Sequence, residues 1–440
     1  VEIQKLSENI GAGVVVIEIF QEGKSMLKKK LVAGIVTAAL TLSMCLGTGV
    51  TVFAEDDPVS LDDARGAVTK NLVMDENVTT PNATFRFTIE KLTENVTDAT
   101  GKDVTEHLSM DGPELSIDPI TFTQSSNGTT EDGIKTVTGE GRIRKADGGI
   151  LGPGSFPHAG IYAYKVTETA GTYDIADPTK ENMIYSQAEY TVFITIANRA
   201  NYGGGLKIES IQAMITIDDS GEDIEDVKVP STEPGNSDLA FRNIYSKTGG
   251  TDEWDDDLGA LSLSKTVTGK MGDQTKLFDF SLTLHKSATL DMEVEQSGGT
   301  YPVYSITLPE GGTLDYQFDA QTDEITHTFQ LKHSQKITFT DLPVGTTFTL
   351  SENNGQAVGN YKTTITGMSD GVEFSETQGV MTTANRLVGE DSNYADVENN
   401  YADSPITGIV ENNLPFLVLI GIAVAGFGAY LFLKRRKFVK

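Results

Sequence analysis

Apolar and polar residues alternate in short runs along most of the chain. Clear examples are residues 84–89, 160–166 and 190–196, which are rich in threonine and aromatic residues and are separated by glycine, asparagine and aspartate. A period of two is typical of half-buried β-strands. No long segment away from the two ends has the 3.6-residue period of a helix. The pattern predicts an all-β protein made of antiparallel sandwiches.

An apolar segment near the amino end breaks this pattern. Residues 26–54 begin with a methionine and three lysines, continue with small and apolar residues, and end in Val52-Phe53-Ala54. This order predicts a secretory signal peptide. Residues 1–25 do not fit this order. We therefore expect translation to begin at Met26, and residues 1–25 to be an upstream segment included by a start assigned too early. The single cysteine, Cys45, lies in the signal, so we expect no disulfide in the mature protein.

A second apolar segment lies near the carboxyl end, inside a three-part motif. Residues 414–433 are mostly apolar and residues 434–440 are mostly basic. They are preceded by a pentad formed by Ser404, Pro405, Ile406, Thr407 and Gly408. The apolar span is just long enough to cross about 30 Å of hydrocarbon as a transmembrane helix, and the cations hold the tail in the cytoplasm. The three parts together predict a cell-wall sorting signal of Gram-positive bacteria. The alternative is a simple membrane anchor behind a chance pentad.

Residues 248–258 combine glycines with a run of acidic residues and predict a linker between two halves, 56–247 and 259–403. Both halves carry the same polar residues in the same order. Each opens with a strand containing one lysine, later has a strand ending in glutamate, and closes with a strand containing asparagine. The residues are Lys70, Glu168 and Asn243 in the first half, and Lys265, Glu352 and Asn399 in the second. Each asparagine lies two residues after an apolar residue and two before a tyrosine. Strand alternation therefore puts the apolar residue, the asparagine and the tyrosine on the same face of the strand.

A lysine, a glutamate and an asparagine that meet in a core could form an amide bond between the lysine amine and the asparagine side chain, with loss of ammonia. Burial favours the neutral amine that must attack, and raises the pKa of the glutamate that would polarise the asparagine carbonyl and shuttle protons. Adjacent first and last strands would supply proximity. This would be single-turnover self-modification, not enzyme action on a substrate. The alternative is a buried Lys–Glu ion pair with a hydrogen-bonded asparagine, but the twofold recurrence favours the covalent interpretation.

The charge and residue composition of the chain narrow the classes of molecule that it could bind. The formal net charge is −29, and the two terminal signals carry more bases than acids, so the mature part is more acidic still. Such a charge argues against a nucleic-acid partner. The five histidines lack ligand spacing, and the acidic run 218–226 is more typical of a solvated loop than of a calcium site. We expect no metal and no cofactor.

The sequence resembles the streptococcal pilin isopeptide-linkage family, in particular the two-domain backbone pilins of Gram-positive pili. The resemblance covers most of residues 60–408. It is carried by the segments 68–72, 162–168 and 241–243 in the first half, and by 282–284, 341–345 and the closing asparagine strand in the second. It implies two immunoglobulin-like sandwiches, each with a glutamate-assisted isopeptide bond. The implied bonds are Lys70–Asn243 with Glu168 and Lys265–Asn399 with Glu352, with Asn400 as the fallback acceptor if the last strand slips by one residue.

The family also implies partners. A sortase would cut between Thr407 and Gly408, and a lysine of the next subunit would attack the resulting thioester to build a covalent homopolymer that is finally attached to peptidoglycan. Lys228 is the candidate for this pilus-linking lysine, because related pilins use a lysine shortly before the first domain's final strand. The expected function is a structural pilus subunit. The alternative is a monomeric wall-anchored adhesin that binds a host surface ligand.

Overall fold

The computed structural model describes residues 66–98, 101–199, 205–229, 232–233, 236–237, 239–250, 259–352, 361–376, 382–401, 416 and 418–430. The predicted upstream segment, signal peptide, sorting pentad and basic tail lie outside these residues, as do positions 251–258 of the predicted linker. The described chain is dominated by β-strands that form two tandem immunoglobulin-like sandwiches, as the alternating pattern predicted.

The strands of the first domain are numbered in chain order. They are β1 (Ala67–Asp75), β2 (Ala83–Lys91), β3 (Leu115–Ile117), β4 (Ile120–Phe122), β5 (Thr129–Glu131), β6 (Ile134–Lys145), β7 (Gly160–Thr169), β8 (Glu181–Ile184), β9 (Glu189–Asn198), β10 (Leu206–Ile217), β11 (Asp223–Val229), β12 (Thr232–Glu233), β13 (Asn236–Ser237) and β14 (Ala240–Lys247). Short 3-10 turns cover Thr105–His107 and Pro153–Ser155.

The elements of the second domain follow. They are β15 (Leu261–Thr268), β16 (Phe278–His285), α1 (Leu290–Ser297), β17 (Val303–Thr307), β18 (Thr313–Gln317), β19 (Glu324–Leu331), β20 (Gln335–Phe339), β21 (Thr347–Glu352), β22 (Tyr361–Ser369), β23 (Val372–Glu376), β24 (Arg386–Leu387) and β25 (Tyr394–Tyr401).

Two sheets enclose the core of the first domain. Among the described residues, one sheet has the order β3-β6-β1-β14-β8, with β5 added beside β6, and the other has the order β11-β10-β9-β7-β2-β4. Their inward residues form one apolar cluster that includes Leu72, Phe85, Val166 and Phe241. The outward positions of β2 are polar, which accounts for the period of two read in its sequence.

The second domain repeats this arrangement with fewer strands. In the described chain its two larger sheets have the orders β20-β15-β25-β22-β23 and β19-β16-β21-β24, and β17 pairs with β18 in a separate two-stranded sheet. The strand β16 is buried at every second residue, and its buried residues Phe278, Phe280, Leu282 and Leu284 pack in the core between the sheets.

In both domains the first strand lies beside the last one and runs parallel to it. In the first domain β1 pairs with β14, and Lys70 is opposite Phe241 while Leu72 is opposite Asn243. In the second, β15 pairs with β25 in the same offset, with Lys265 opposite Val397 and Val267 opposite Asn399. Each lysine is therefore offset by two residues from its asparagine along a pair of parallel strands. Since side chains two apart share a face, both point into the same core.

The start of the predicted linker is bound between the domains. The backbone N–H groups of Thr248, Gly249 and Gly250 donate to carbonyls of Lys180, Leu342 and Gly389, at 2.8, 2.8 and 2.9 Å. A turn with bonds to both domains holds the strands on either side in a fixed relation, so this part of the junction is ordered.

The helix α1 extends the junction. Met292 on α1 packs with Val73 and Ile244 of the first domain. Gln296, which is fully buried, accepts a hydrogen bond from Arg242 Nε at 3.0 Å and donates one to the Arg242 carbonyl at 2.8 Å. Nearby, the Glu390 carboxylate accepts from the Thr79 backbone and lies 3.1 Å from Lys247 Nζ. The junction thus combines apolar packing with buried polar contacts.

Residues 418–430 are helical and exposed. In the part of the chain that the structure describes, no helix has both the length and the apolar character needed to cross a membrane. The predicted span 414–433 extends beyond the described residues at both ends.

The junction generates a prediction. Gln296→Ala removes both hydrogen bonds to Arg242 and takes away the amide that its part-buried carbonyl accepts from, so we expect it to lower the free energy of unfolding by about 1–3 kcal/mol. Gln330→Ala, at an exposed position of β19, is the matched control and should change it by less than about 0.5 kcal/mol. Urea titration of the two variants compares them, and equal small effects would show that the α1 contact does not stabilise the fold.

Candidate functional site

Each domain has one site in its core where a lysine, a glutamate and an asparagine meet. In the first domain, Lys70 comes from β1, Glu168 from β7 and Asn243 from β14. Lys70 Nζ lies 2.8 Å from Glu168 Oε2, and Asn243 Nδ2 donates to Glu168 Oε1 at 2.8 Å. The carboxylate therefore touches both predicted partners, and the lysine and glutamate side chains are fully buried.

The second domain builds the same site from equivalent strands. Lys265 on β15 has its Nζ 3.4 Å from Glu352 Oε2, and Asn399 on β25 donates through Nδ2 to Glu352 Oε1 at 2.6 Å. Both charged side chains are again fully buried. The structure brings together all six residues that the sequence repeat singled out, three in each domain.

Aromatic rings surround both amines. Lys70 Nζ lies 4.9 Å from the centroid of the Phe85 ring, and Lys265 Nζ lies 4.4 Å from that of Phe278. Burial is the main reason that the pKa of each lysine is lowered to about 8, although the neighbouring glutamate pulls it upward. A larger share of each amine is therefore neutral and nucleophilic near neutral pH than for an exposed lysine.

The same burial acts in the opposite sense on the acids. It raises the pKa of Glu168 and of Glu352, while the adjacent lysine and the hydrogen bond from asparagine lower it. The charged and neutral forms of each Lys–Glu pair are therefore closer in free energy than they would be in water. A proton can pass between the amine and the carboxylate, which is the proton transfer that amide formation requires.

The orientation of the asparagine amides differs from our expectation. We expected the glutamate to polarise the amide carbonyl, but each glutamate faces the amide nitrogen. The carbonyl oxygens are occupied elsewhere: Asn243 Oδ1 accepts from the backbone N–H of Ser186 at 2.7 Å, and Asn399 Oδ1 from Thr363 Oγ1 at 2.8 Å. Neither donor was singled out in the sequence.

The two candidate acceptors in the last strand are separated by strand alternation. Asn399 is fully buried, whereas Asn400 is exposed and donates to Thr268 Oγ1 at 2.8 Å. Asn400 therefore lies on the opposite face of β25 from Glu352, and the register places Asn399 in the site.

A third lysine lies near the second site and was not predicted. Lys276 Nζ is buried without a hydrogen-bond partner in the described part of the chain, 4.7 Å from the Phe278 ring centroid. Its charge contributes to lowering the pKa of both Lys265 and Glu352. In the first domain, the corresponding extra charge is acidic, because Asp219 raises the pKa of both Lys70 and Glu168.

The remaining predicted site residues are Lys228 and the sorting pentad. Lys228 is in β11, the outermost strand of its sheet as far as the structure describes it, with Met214 of β10 as its backbone partner. The sorting residues Ser404, Pro405, Ile406, Thr407 and Gly408 lie outside the described chain. Over the described ranges, no group of three or more potential metal-ligating side chains was found.

Comparisons with known families agree with both parts of the sequence pattern. Residues 67–246 match the model of a Spy0128-like isopeptide containing domain, and residues 405–437 match the LPXTG cell wall anchor motif. Residues 259–387 match a family described as Domain of unknown function (DUF7601). The second site, with Lys265 and Glu352, thus falls largely in a segment whose family has no assigned function.

The chain is also similar to individual pilins. It is 25% identical to a pilin of Streptococcus pyogenes serotype M1 over 381 residues, which cover 86% of this chain and 92% of that protein. Among solved structures it is similar to a variant of the major pilin from Streptococcus pyogenes, with 23% identity, 77% of this chain and 99% of that chain covered, and a TM-score of 0.30. A pilus-presented adhesin matches 43% of this chain and 36% of its own, at 18% identity and a TM-score of 0.22.

These matches identify residues 67–246 as a Spy0128-like isopeptide containing domain and residues 405–437 as a cell wall anchor motif, in a chain that is similar to a streptococcal pilin over most of its length.

Proposed function

We propose that this protein is a structural subunit of a sortase-assembled surface pilus whose two domains each carry a Lys–Asn isopeptide bond, Lys70–Asn243 and Lys265–Asn399. The observation that carries the proposal is the recurrence of one geometry. In both domains a buried glutamate bridges a lysine on the first strand and an asparagine on the adjacent, parallel last strand.

An ion pair alone explains this geometry less well than a covalent bond. Burying a lysine and a glutamate completely has a desolvation penalty that their mutual attraction often fails to offset. Amide formation removes both charges: the amine becomes a neutral amide nitrogen, and the proton that the ammonium gives up remains on the glutamate as a neutral carboxylic acid when ammonia leaves. Two independent cores would hardly retain the unfavourable pair at the same strand offset without such a reaction.

The bond-forming step balances without any external reagent. The neutral amine nitrogen of lysine attacks the side-chain carbonyl carbon of asparagine, and a new C–N bond forms. The bond from that carbon to the amide nitrogen breaks, and ammonia leaves. The glutamate accepts a proton from the amine at Oε2 and delivers one to the leaving nitrogen at Oε1, the two atoms that it already contacts. Each domain reacts once with itself.

The bonds suit a fibre under tension. In a sandwich without them, a pull on the two ends of a domain is opposed by backbone hydrogen bonds between strands, each worth about 1 kcal/mol. A bond between the first and last strands carries the load through covalent atoms instead. It also restricts the unfolded chain, as a disulfide would, and the mature protein has no cysteine for that purpose.

The proposed assembly uses the carboxyl-terminal motif. The sortase would cleave between Thr407 and Gly408 and join Thr407 to Lys228 of a neighbouring subunit, with peptidoglycan as the final acceptor. The span 414–433 would hold the precursor in the membrane with its basic tail in the cytoplasm until cleavage. We place the two domains at residues 56–247 and 259–403. On the assembled pilus, the subunit would also contact a host surface ligand.

Intact mass tests the bonds. We expect the purified ectodomain to be lighter than its sequence mass by two ammonia molecules, because each domain loses one. Lys70→Ala and Lys265→Ala should each restore the mass of one, and tryptic digestion should yield one cross-linked peptide pair for each intact site. An ectodomain at its full sequence mass would refute both bonds.

The role of the buried carboxylate gives a second test. Glu168→Ala should leave one ammonia unreleased and leave the Lys70 amine buried without its carboxylate. We expect this to lower the free energy of unfolding by about 3–5 kcal/mol. Glu189→Ala removes the partner of the half-exposed Lys165 and should lose less than about 1 kcal/mol. Mass and urea denaturation measure both effects, and a linked, stable Glu168→Ala variant would contradict the proposed role.

Polymerisation is tested on cells. Lys228→Arg keeps the positive charge but removes the amine nucleophile, so we expect it to abolish the detergent-resistant ladder of covalent polymers on immunoblots of wall extracts. Lys207→Arg, on the exposed part of β10, should leave the ladder intact. A ladder that persists in Lys228→Arg would assign the linkage to another lysine, and a single wall-attached species in the wild type would favour the monomeric adhesin.

A further inference from the structure

Each asparagine carbonyl in the two sites is held by a donor outside the lysine–glutamate–asparagine set. In the first domain the donor is the backbone N–H of Ser186, and in the second it is the hydroxyl of Thr363. Thr363 and Asn399 are both fully buried, so water does not compete for this contact.

The Ser186 contact determines which way the amide lies. A backbone N–H can only donate, so the Asn243 atom that it meets at 2.7 Å is the carbonyl oxygen. The amide nitrogen must then face Glu168, as the 2.8 Å contact shows. The second domain has the same orientation, with Asn399 Nδ2 on Glu352 at 2.6 Å. Two chemically different donors thus hold the same amide in the same way.

The donors come from equivalent places in the fold. In each domain the last strand has the lysine-bearing strand on one side and another strand on its other side: β8 beside β14 in the first domain, and β22 beside β25 in the second. In the second domain, β22 continues past the site, and Thr363 is the direct antiparallel partner of Asn399, so its side chain supplies the donor. In the first domain β8 ends at Ile184, and the following N–H of Ser186 is free to turn toward Asn243.

This placement matches the charge that develops during the reaction. Attack on the amide carbon moves negative charge onto the carbonyl oxygen, and a donor aimed at that oxygen stabilises the transition state. The glutamate, on the other side of the amide, faces the nitrogen that must leave as ammonia. The two tasks are therefore divided: the glutamate moves protons, and the separate donor holds the oxyanion, which collapses to the new carbonyl when ammonia departs.

We propose that Thr363 is a catalytic residue of isopeptide formation in the second domain, as the oxyanion donor, and that the main-chain N–H of Ser186 has the same role in the first. This inference rests on the proposed function, because it assigns residues to the bond-forming step. It predicts that the two sites differ in sensitivity to substitution, because only the second domain has a donor that a side-chain change can remove.

The test follows bond formation in both domains of the same molecule. The full ectodomain is made by cell-free synthesis with a short isotopic pulse, samples are quenched in acid at intervals, and the two cross-linked tryptic pairs are quantified by mass spectrometry. Thr363→Val keeps the size of the side chain but removes the hydroxyl. We expect it to slow the Lys265–Asn399 bond by about 10²–10³-fold and to change the Lys70–Asn243 bond by less than about twofold.

Matched variants separate catalysis from packing. Thr363→Ser keeps a hydroxyl and should form the second bond within about tenfold of the wild-type rate. Thr363→Cys has a weaker donor and should be intermediate, and it replaces the valine variant if that one does not fold. Thermal unfolding in an Asn399→Ala background, where no second bond can form, shows whether the fold tolerates each change.

The outcomes distinguish a failure of the Thr363 role from a failure of the proposed function. If the wild type forms both bonds and Thr363→Val, or Thr363→Cys in its place, forms the second as fast as the wild type, the oxyanion role is wrong while the pilin proposal stands. If the wild type forms neither bond, the proposed function itself fails. Equal slowing of both bonds by Thr363→Val would indicate a general folding defect and would also overturn the role of Thr363.

Discussion

The structure depends on one interaction, the burial of a lysine amine against a glutamate carboxylate between the first and last strands of each domain. Both side chains are fully buried in both domains. Left as ions, such pairs are a source of instability in an apolar core. In the proposed reaction each lysine amine becomes a neutral amide nitrogen joined to asparagine, the glutamate keeps the proton that the ammonium gave up, and the core no longer holds a charge. The feature that is least favourable for the unreacted fold therefore favours the proposed reaction, because burial lowers the pKa of each lysine to about 8.

The topology decides what such a cross-link can do. Since β1 lies parallel to β14 and β15 parallel to β25, the proposed bond between them would close each domain at the two strands where the chain enters and leaves. Most of each sandwich then lies outside the direct path of a force along the chain. The junction continues this path, because residues 248–250 pass from β14 toward β15 with hydrogen bonds to both domains and α1 packs against β14. The molecule can thus transmit tension from one domain to the next.

The sequence predicted the parts of this architecture that leave a regular trace. Alternation predicted the strands, and the recurrence of Lys70, Glu168 and Asn243 as Lys265, Glu352 and Asn399 predicted the sites. It could not choose between Asn399 and Asn400, because adjacent asparagines differ only in strand register, which the pairing with β22 fixes. Ser186 was missed because its donor is a backbone group that any residue has, and Thr363 because threonines are common in this chain's strands. The helix α1 is eight residues long and has no clear apolar stripe, so its period left no signal.

Single-molecule stretching of the ectodomain, held before β1 and after β25, tests the central claim most directly. If both bonds are present, the chain between each lysine and its asparagine is shielded, and no length should be released up to forces that break covalent attachments. A double variant without Glu168 and Glu352 should release on the order of 60 nm from the first domain and 45 nm from the second as each unfolds. Release of these lengths by the wild-type protein would contradict the account, since it would show that the first and last strands are held only by non-covalent contacts.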